Sequence, residues 1–283
     1  MSPAIGETTH SSRSFAVFDA SFDVVARPAW IDRVETVFAA FGVALGSPTV
    51  RFEIIDEGPL ERPSVAARAD LLIDTEPILR SVRPHAILDR IVWEVNQLAW
   101  RSNPSRILIH AGAVEVDGRA VIVCGPSGSG KTTLTTALCV AGAGYLSDEI
   151  AVLDPESNSI DPYSKPLSLR PGSRDRFPML APPADLADLM TSSWYVPLAG
   201  TASVPLALVV FVDHDDEGTT VLRRVPRAEA LLRLCDQTPT FARQGAFAFS
   251  ALAAAVRAAR CVEVVANDLK LAVELVLDEA GRR

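Results

Sequence analysis

Between Cys124 and Leu134 the chain reads Gly125-Pro126-Ser127-Gly128-Ser129-Gly130-Lys131-Thr132-Thr133, which satisfies the pattern G-x-x-x-x-G-K-[ST] at every required position. Each residue type in it has a task. The glycines let the backbone curl so that its N–H groups converge on a polyphosphate, and the N-terminus of the helix that follows adds a partial positive charge. The Lys131 ammonium would bridge the β- and γ-phosphates of ATP, and the Thr132 hydroxyl would bind Mg²⁺. Gly125, Ser127, Gly128, Ser129, Gly130, Lys131, Thr132 and Thr133 are therefore the expected nucleotide contacts. Such a loop accounts for binding but not for a reaction, which needs an acidic partner. Two are available: Ser147-Asp148-Glu149, and Asp213, which follows the apolar run 206–212 as a Walker B aspartate would and precedes Asp215, Asp216 and Glu217. His110 stands alone among apolar residues, and Lys165, Arg170 and Arg174 form a spaced set of cations.

The elements that must hold these residues follow from periodicity. Residues 107–116 and 119–124 are β-rich runs separated by Asp117-Gly118, a two-residue hairpin signal, so the strand entering the loop is expected to have an antiparallel neighbour. A helix over 132–141 is stopped by Gly142 and Gly144, and 145–153 returns as one strand carrying the acidic pair. Downstream, 206–212 reads as a buried strand, 226–234 as a helix, 247–260 as an Ala-rich helix, 261–265 as a strand and 268–277 as a closing helix. Upstream, 14–26 is extended and Pro28 opens a helix with Trp30, Val34, Phe38 and Phe41 at helical spacing. Val50, Phe52 and Ile54 alternate with charged residues as in a half-buried strand, and a second helix spans 86–100. Asn103-Pro104 ends that helix and marks the domain boundary.

Composition narrows the partners. The 283 residues carry 27 Lys and Arg against 35 Asp and Glu, a net charge of −8 without a basic run, which argues against a nucleic-acid partner. At 48% hydrophobic and 22% charged residues the chain can bury a core. Its apolar runs fall far short of the ~18 residues a membrane span needs, and the polar start MSPAIGETTHSS has no signal-peptide pattern. Cys124, Cys139, Cys235 and Cys261 are widely spaced within apolar stretches, so they are expected to be buried thiols and the protein cytoplasmic.

The residues also resemble a known family. His110-Ala111-Gly112, the hairpin through Asp117-Gly118, the loop GPSGSGKTT and the pair Asp148-Glu149 are similar to the C-terminal kinase domain of HPr kinase/phosphorylase and its relatives. The intervals match as well, with 15 residues from His110 to Gly125 and 23 from Gly125 to Asp148. The likeness covers 107–153 and, loosely, 162–173, where KPLSLRPGS stands. The loop and acidic pair also resemble phosphoenolpyruvate carboxykinase, which shares that fold. The fold implied is α/β: a P-loop kinase core of this type with a mixed sheet over 106–283, preceded by a smaller α+β region over 14–105 and a disordered leader over 1–13.

The resemblance implies roles. Asp148 would be the general base toward an attacking hydroxyl, Glu149 and Thr132 would hold Mg²⁺, His110 would sit near the γ-phosphate, and Arg170 would add positive charge. Asp213 is then left to a surface turn, because its acidic neighbours and Gly218-Thr219-Thr220 read as a loop. The signature E-[LIV]-R-G-[LIVM]-G of HPr kinases is missing, so HPr as acceptor, phosphorylase activity and a hexamer are not implied. The N-terminal region resembles those of HPr kinase-related proteins encoded beside peptide natural products, among which lasso-peptide tailoring kinases phosphorylate a serine hydroxyl of a precursor peptide. The expected function is thus ATP- and Mg-dependent transfer to a serine-type hydroxyl on a peptide, with 1–105 and 162–179 walling the acceptor groove. A small-molecule hydroxyl kinase and a nucleotide-binding regulator without turnover are the alternatives. A GTPase or an ABC-type ATPase is not, since neither N-K-x-D nor an LSGGQ-like signature occurs.

Overall fold

In β1 (Ser11–Val17) and β2 (Ala20–Ala26) successive side chains alternate, Phe15, Val17, Phe22 and Val24 pointing inward, and the two runs close as an antiparallel hairpin. Pro28 opens α1 (Pro28–Val37), since a residue without an N–H loses nothing at the first helical position. The helix returns the chain to β3 (Val50–Asp56), parallel to β2. β4 (Ala69–Ile73) and β5 (Glu76–Val82) complete a sheet in the order β1-β2-β3-β4-β5, and α2 (Pro84–Arg101) buries Ile87, Ile91 and Val95. Phe15, Phe22 and Phe38 cluster at centroid distances of 5.1–5.7 Å, Phe15 stacked on Phe22 and Phe38 edge-on to Phe22, and the buried Asp56 carboxylate pairs with Arg27 and accepts a bond from Trp30 Nε1 at 3.1 Å. The β4–β5 hairpin was not legible in the sequence. Nearly all of β5 faces solvent, so it shows no inward stripe, and its turn places the non-glycine residues Asp74 and Thr75 at φ 49° and 78°.

The computed structural model describes residues 10–56, 68–163, 165–180, 194–196, 202–214 and 218–282. Its chain forms two units: Met1–Ser102 with Leu169–Pro197, and Asn103–Ser168 with Leu198–Arg283. The first division falls between Ser102 and Asn103, and the first unit also takes a segment from the middle of the chain, including α4 (Pro171–Arg174) and β13 (Trp194–Val196). Of the leader expected at 1–13, residues 1–9 lie outside the described residues and Ser11, Ser12 and Arg13 belong to β1.

The second unit is built on a mixed sheet. β6 (Ile107–Ile109), β7 (Ala111–Val116), β8 (Arg119–Cys124), β9 (Gly144–Ser147), β10 (Ala151–Asp154), β11 (Ser159–Asp161) and β14 (Val204–His214) run in the order β6-β10-β11-β14-β8-β7-β9. β16 (Arg260–Ala266) pairs with β14, and β15 (Val221–Arg224) with β16; the chain leaves the unit within β12 (Leu167–Leu169). As expected, β7 and β8 form an antiparallel hairpin, with Asp117 and Gly118 at φ 51° and 75°, the left-handed pair a two-residue turn needs. β14 is parallel to both β8 and β16.

Side-chain alternation sorts the helices. Ala120, Ile122 and Cys124 of β8 join a core with α5 (Arg227–Asp236), α6 (Phe241–Gln244) and α7 (Ala246–Ala258). The other face receives α3 (Lys131–Val140), which packs on β7, β8 and α8 (Leu269–Gly281). β8 is buried on both faces from Ala120 onward, which explains its unbroken apolar run. Among the four free thiols Cys124 and Cys261 are buried, and burial pushes Cys124 up to about 12; Cys139 and Cys235 are half-buried, a partial departure from expectation.

Three expectations change here. Residues 107–116 are two strands broken at His110, because β6 pairs with β10 while β7 pairs with β8 and β9. Residues 145–153 are also two strands. The chain leaves the sheet after Ser147, whose Oγ accepts the N–H groups of Glu149 and Ile150 at 3.2 and 2.9 Å. Asp213 lies in β14, paired with Val265 of β16, rather than in a surface turn. Its neighbours Asp215, Asp216 and Glu217 fall outside the described residues.

Close packing of α3 on the sheet sets one requirement. A Cβ on Gly112 would lie 2.1 Å from Thr135 Oγ1 and 3.1 Å from Thr135 Cβ, and Thr135 is fully buried. Gly112→Ala is expected to destabilise the fold by about 1–3 kcal/mol, seen as a lower thermal midpoint. Thr135→Ala in the same chain should recover most of that loss.

Candidate functional site

The site is assembled at the end of β8. Its register sets Cys124 opposite Ala111 on one side and Phe211 on the other, so the next residue, Gly125, stands in a row with His110 and Val212. Only glycine fits there: a Cβ would come within 2.5 Å of Ser129 Oγ and 2.7 Å of the Val212 carbonyl oxygen. Gly128 and Gly130 take φ of 86° and 96°, which L side chains rarely adopt, and the space where their Cβ atoms would be is open. The loop therefore reverses onto α3, whose N-cap is Gly130 and whose first turn carries no acidic residue.

Lys131, at the first position of α3, is buried and curls back to donate to the carbonyls of Gly125 at 2.7 Å and Pro126 at 3.0 Å. Burial lowers its pKa, opposed by the nearby Glu149 carboxylate. Ser129 Oγ is buried without a hydrogen-bond partner among the described residues. An orphaned hydroxyl, an ammonium satisfied only by its own loop, the amino end of a ten-residue helix and open space over two glycines together suit an anion with several oxygens. Thr132 and Thr133 follow on the first turn, half-buried, and Ser127 is exposed on the loop.

His110 and Glu149 meet beside this loop. The His110 N–H donates to the carbonyl of Gln237, the residue capping α5, at 2.7 Å, and this anchors the ring's backbone where β6 passes into β7. His110 Nε2 lies 3.5 Å from Glu149 Oε1, with both side chains more than a third exposed. Desolvation first, and then the Lys131 charge, hold the His110 pKa below its ordinary 6.5, while Glu149 pulls it up. The imidazole is thus neutral near pH 7 and able to accept a proton.

Asp148 is a different kind of group. Its carboxylate is 1% exposed and pairs with the equally buried Lys165 ammonium at 2.8 Å. Tyr145 Oη lies 2.9 Å from Asp148 Oδ1, and the Ser168 N–H donates to Oδ2 at 2.9 Å. Lys165 donates also to Pro166 O at 3.1 Å and Ser168 Oγ at 3.3 Å. In this arrangement both carboxylate oxygens of Asp148 are engaged by Lys165, Tyr145 and Ser168. The carboxylate ties the β9 end to the segment 165–168 and so sets the course of the turn that leaves Glu149 half-open. Burial, and then the Asp148 charge, raise the Tyr145 pKa well above its usual value, keeping it a neutral donor.

The structure thus brings Lys131, His110 and Glu149 together at the glycine-rich loop and seals Asp148 with Lys165 beneath. Arg170 is exposed and Arg174 stands 3.8 Å from Asp175; both belong to the other unit. Gln237 escaped sequence reasoning, because a backbone carbonyl at a helix end carries no side-chain signal.

No protein-family model matches this sequence, and no match was found for it among curated proteins. Among solved structures that resemble the chain is the HPr(Ser) kinase/phosphatase from Coxiella burnetii, 14% identical with a TM-score of 0.32, over 60% of this chain and 93% of that one.

Two expected outcomes follow from the geometry. In a nucleotide- and metal-free NMR titration His110 should titrate below its ordinary value; Lys131→Met should raise its pKa and Glu149→Gln lower it further. Unchanged titration in both variants would contradict the arrangement. For the buried pair, Lys165→Met should destabilise the fold by about 3–5 kcal/mol by leaving Asp148 without its counter-charge, and Asp148→Asn with Lys165→Met should cost less than Lys165→Met alone. Urea unfolding of the three variants provides the comparison.

Proposed function

We propose that this chain is a P-loop phosphotransferase that uses Mg-ATP to phosphorylate a serine-type hydroxyl, the acceptor being a peptide such as a lasso-peptide precursor. The observation that carries the reading is the convergence of Lys131, His110 and Glu149 on a glycine-rich loop built between a buried strand and a helix N-terminus. Backbone N–H groups of 128–133 would receive the phosphate oxygens, with Ser129 Oγ gaining the partner it lacks. Lys131 would exchange its two loop carbonyls for the β- and γ-phosphate oxygens, a stronger, charge-assisted contact. Thr132 and Glu149 are the residues that would hold Mg²⁺, which supplies neutralisation of the charge on the transferring phosphoryl group.

His110 rather than Asp148 suits the proton transfer. A neutral imidazole beside the loop can take the hydroxyl proton. The acceptor oxygen forms the new bond to the γ-phosphorus, the bond from that phosphorus to the β,γ-bridging oxygen breaks, and its electron pair leaves with ADP. The serine-type acceptor is supported by the sequence resemblance of 107–153 and the N-terminal region, and by the net acidic, run-free charge that disfavours nucleic acid.

The test uses the full chain. Calorimetry with Mg-ATP should show binding that Lys131→Ala abolishes. His110→Asn should keep Mg-ATP affinity within a few-fold and slow transfer to serine peptides by about 10²–10⁴-fold, removing the acidic limb of the pH profile. An acid-stable phosphate lost by β-elimination in base identifies the serine ester. Full transfer in His110→Asn, or none in a well-folded Asp148→Asn with His110 intact, would return the base to Asp148. No Mg-ATP binding by the native chain would end the kinase reading.

A further inference from the structure

β14 runs parallel to β8 with Phe211 opposite Cys124, so its last residues, Val212, Asp213 and His214, advance beside Gly125 and the start of the loop. Asp213 thus stands one residue, about 3.3 Å, beyond the row of Gly125 and Val212. The carboxyl ends of parallel strands are where open α/β sheets bind ligands. A cleft of about 270 Å³ opens there, lined by Gly125 and Pro126 of the loop, Val212 and Asp213 of β14, and Arg233 and Asp236 of α5. Lys131 donates to the carbonyls of the same Gly125 and Pro126 at 2.7 and 3.0 Å, so a cation and a carboxylate border the same two loop residues.

Two further observations at this row point to a ligand. Ser129 is 7% exposed and its Oγ lacks a hydrogen-bond partner among the described residues. A Cβ on Gly125 would meet that Oγ at 2.5 Å and the Val212 carbonyl oxygen at 2.7 Å, so the orphaned hydroxyl and the residue before Asp213 border one point. The Asp213 carboxylate is exposed and forms no ion pair among the described residues; its Oδ1 accepts the N–H of His214 at 2.9 Å. Arg233, the cation lining the cleft, is taken by Glu229 at 2.5 Å and Glu263 at 2.8 Å. A carboxylate without a counter-charge beside a polyphosphate loop repels bare phosphates. The repulsion turns to attraction when a divalent cation lies between the two anions, and Mg²⁺ is commonly held by one or two carboxylates together with phosphate oxygens and water. Glu149 stands on the His110 side of the loop and Asp213 on the opposite, β14 side.

We propose that Asp213 is a second carboxylate toward the Mg²⁺ of the nucleotide and that it makes the loop select metal-bound over free ATP. The assignment rests on the phosphotransfer reading above and gives a role to a residue that the family resemblance leaves without one. With the ion bound, Asp213 joins Glu149 and Thr132 in offsetting its charge; without the ion, Asp213 opposes the phosphates. Its effect is therefore on binding, and it is measurable without turnover.

Calorimetry on the full chain provides the test, with ATP titrated in excess Mg²⁺ and again in EDTA, no acceptor being present. Asp213→Asn should weaken Mg-ATP binding by about ten-fold and leave free-ATP binding unchanged or up to about three-fold tighter, so that the preference for the metal-bound form falls by at least about ten-fold. Asp213→Glu should regain part of that preference. Asp236→Asn removes the exposed carboxylate on the far wall and should leave the preference within about two-fold, which separates a contact at Asp213 from the general field of the cleft. Both side chains are exposed, so the fold does not depend on their charge. An unchanged preference in Asp213→Asn, equal weakening of free-ATP and Mg-ATP binding, or the same loss in Asp236→Asn would overturn the proposal while leaving the kinase reading in place. Absence of Mg-ATP binding by the native chain would overturn both.

Discussion

Everything at the site depends on the lack of a side chain at Gly125. β8 is enclosed on both faces and hydrogen-bonded on both edges, so its end has no freedom to move aside. The row of His110, Gly125 and Val212 is therefore packed at backbone distance, with the Val212 carbonyl and the Ser129 hydroxyl filling the volume a Cβ would need. From that pinned point the loop can only rise and turn, and two further glycines in left-handed conformations complete the reversal that aims α3 at the strand end. The same register that pins Gly125 delivers a histidine on one flank and a carboxylate, Asp213, just beyond the other.

The buried Asp148–Lys165 pair does a different job. Taking two charges out of water is costly, and the cost is offset only because both groups find several further partners: Tyr145 and Ser168 for the carboxylate, Pro166 and Ser168 for the ammonium. A contact so dependent on geometry tolerates one arrangement of the turn after β9. Glu149 is the beneficiary, since the turn that buries its neighbour leaves it beside His110.

The loop and its flanking elements were legible because they depend on spacing: glycines at set intervals, a hairpin dipeptide, an apolar run long enough for a doubly buried strand. What escaped depends on the third dimension. A carboxylate followed by another carboxylate says nothing of which is sealed, and Lys165, 17 residues from Asp148, sits in a stretch without periodicity that could name it as a partner. Asp213 was misread because acidic neighbours look like a solvated turn, whereas pairing of β14 with β16 carries the strand to His214. β5 shows no alternation because so little of it is inward. The Arg223–Glu263–Arg233–Glu229 chain joins two strands and a helix and exists only after they have packed.

The hydrogen bond from the His110 amide to Gln237 joins two regions through main chain alone. Its donor belongs to the residue that titrates and its acceptor to the residue that caps the helix walling the cleft. The imidazole is thereby set from two sides, by Glu149 at its ring and by the end of a helix at its backbone, although 127 residues of chain separate the two ends of that main-chain bond.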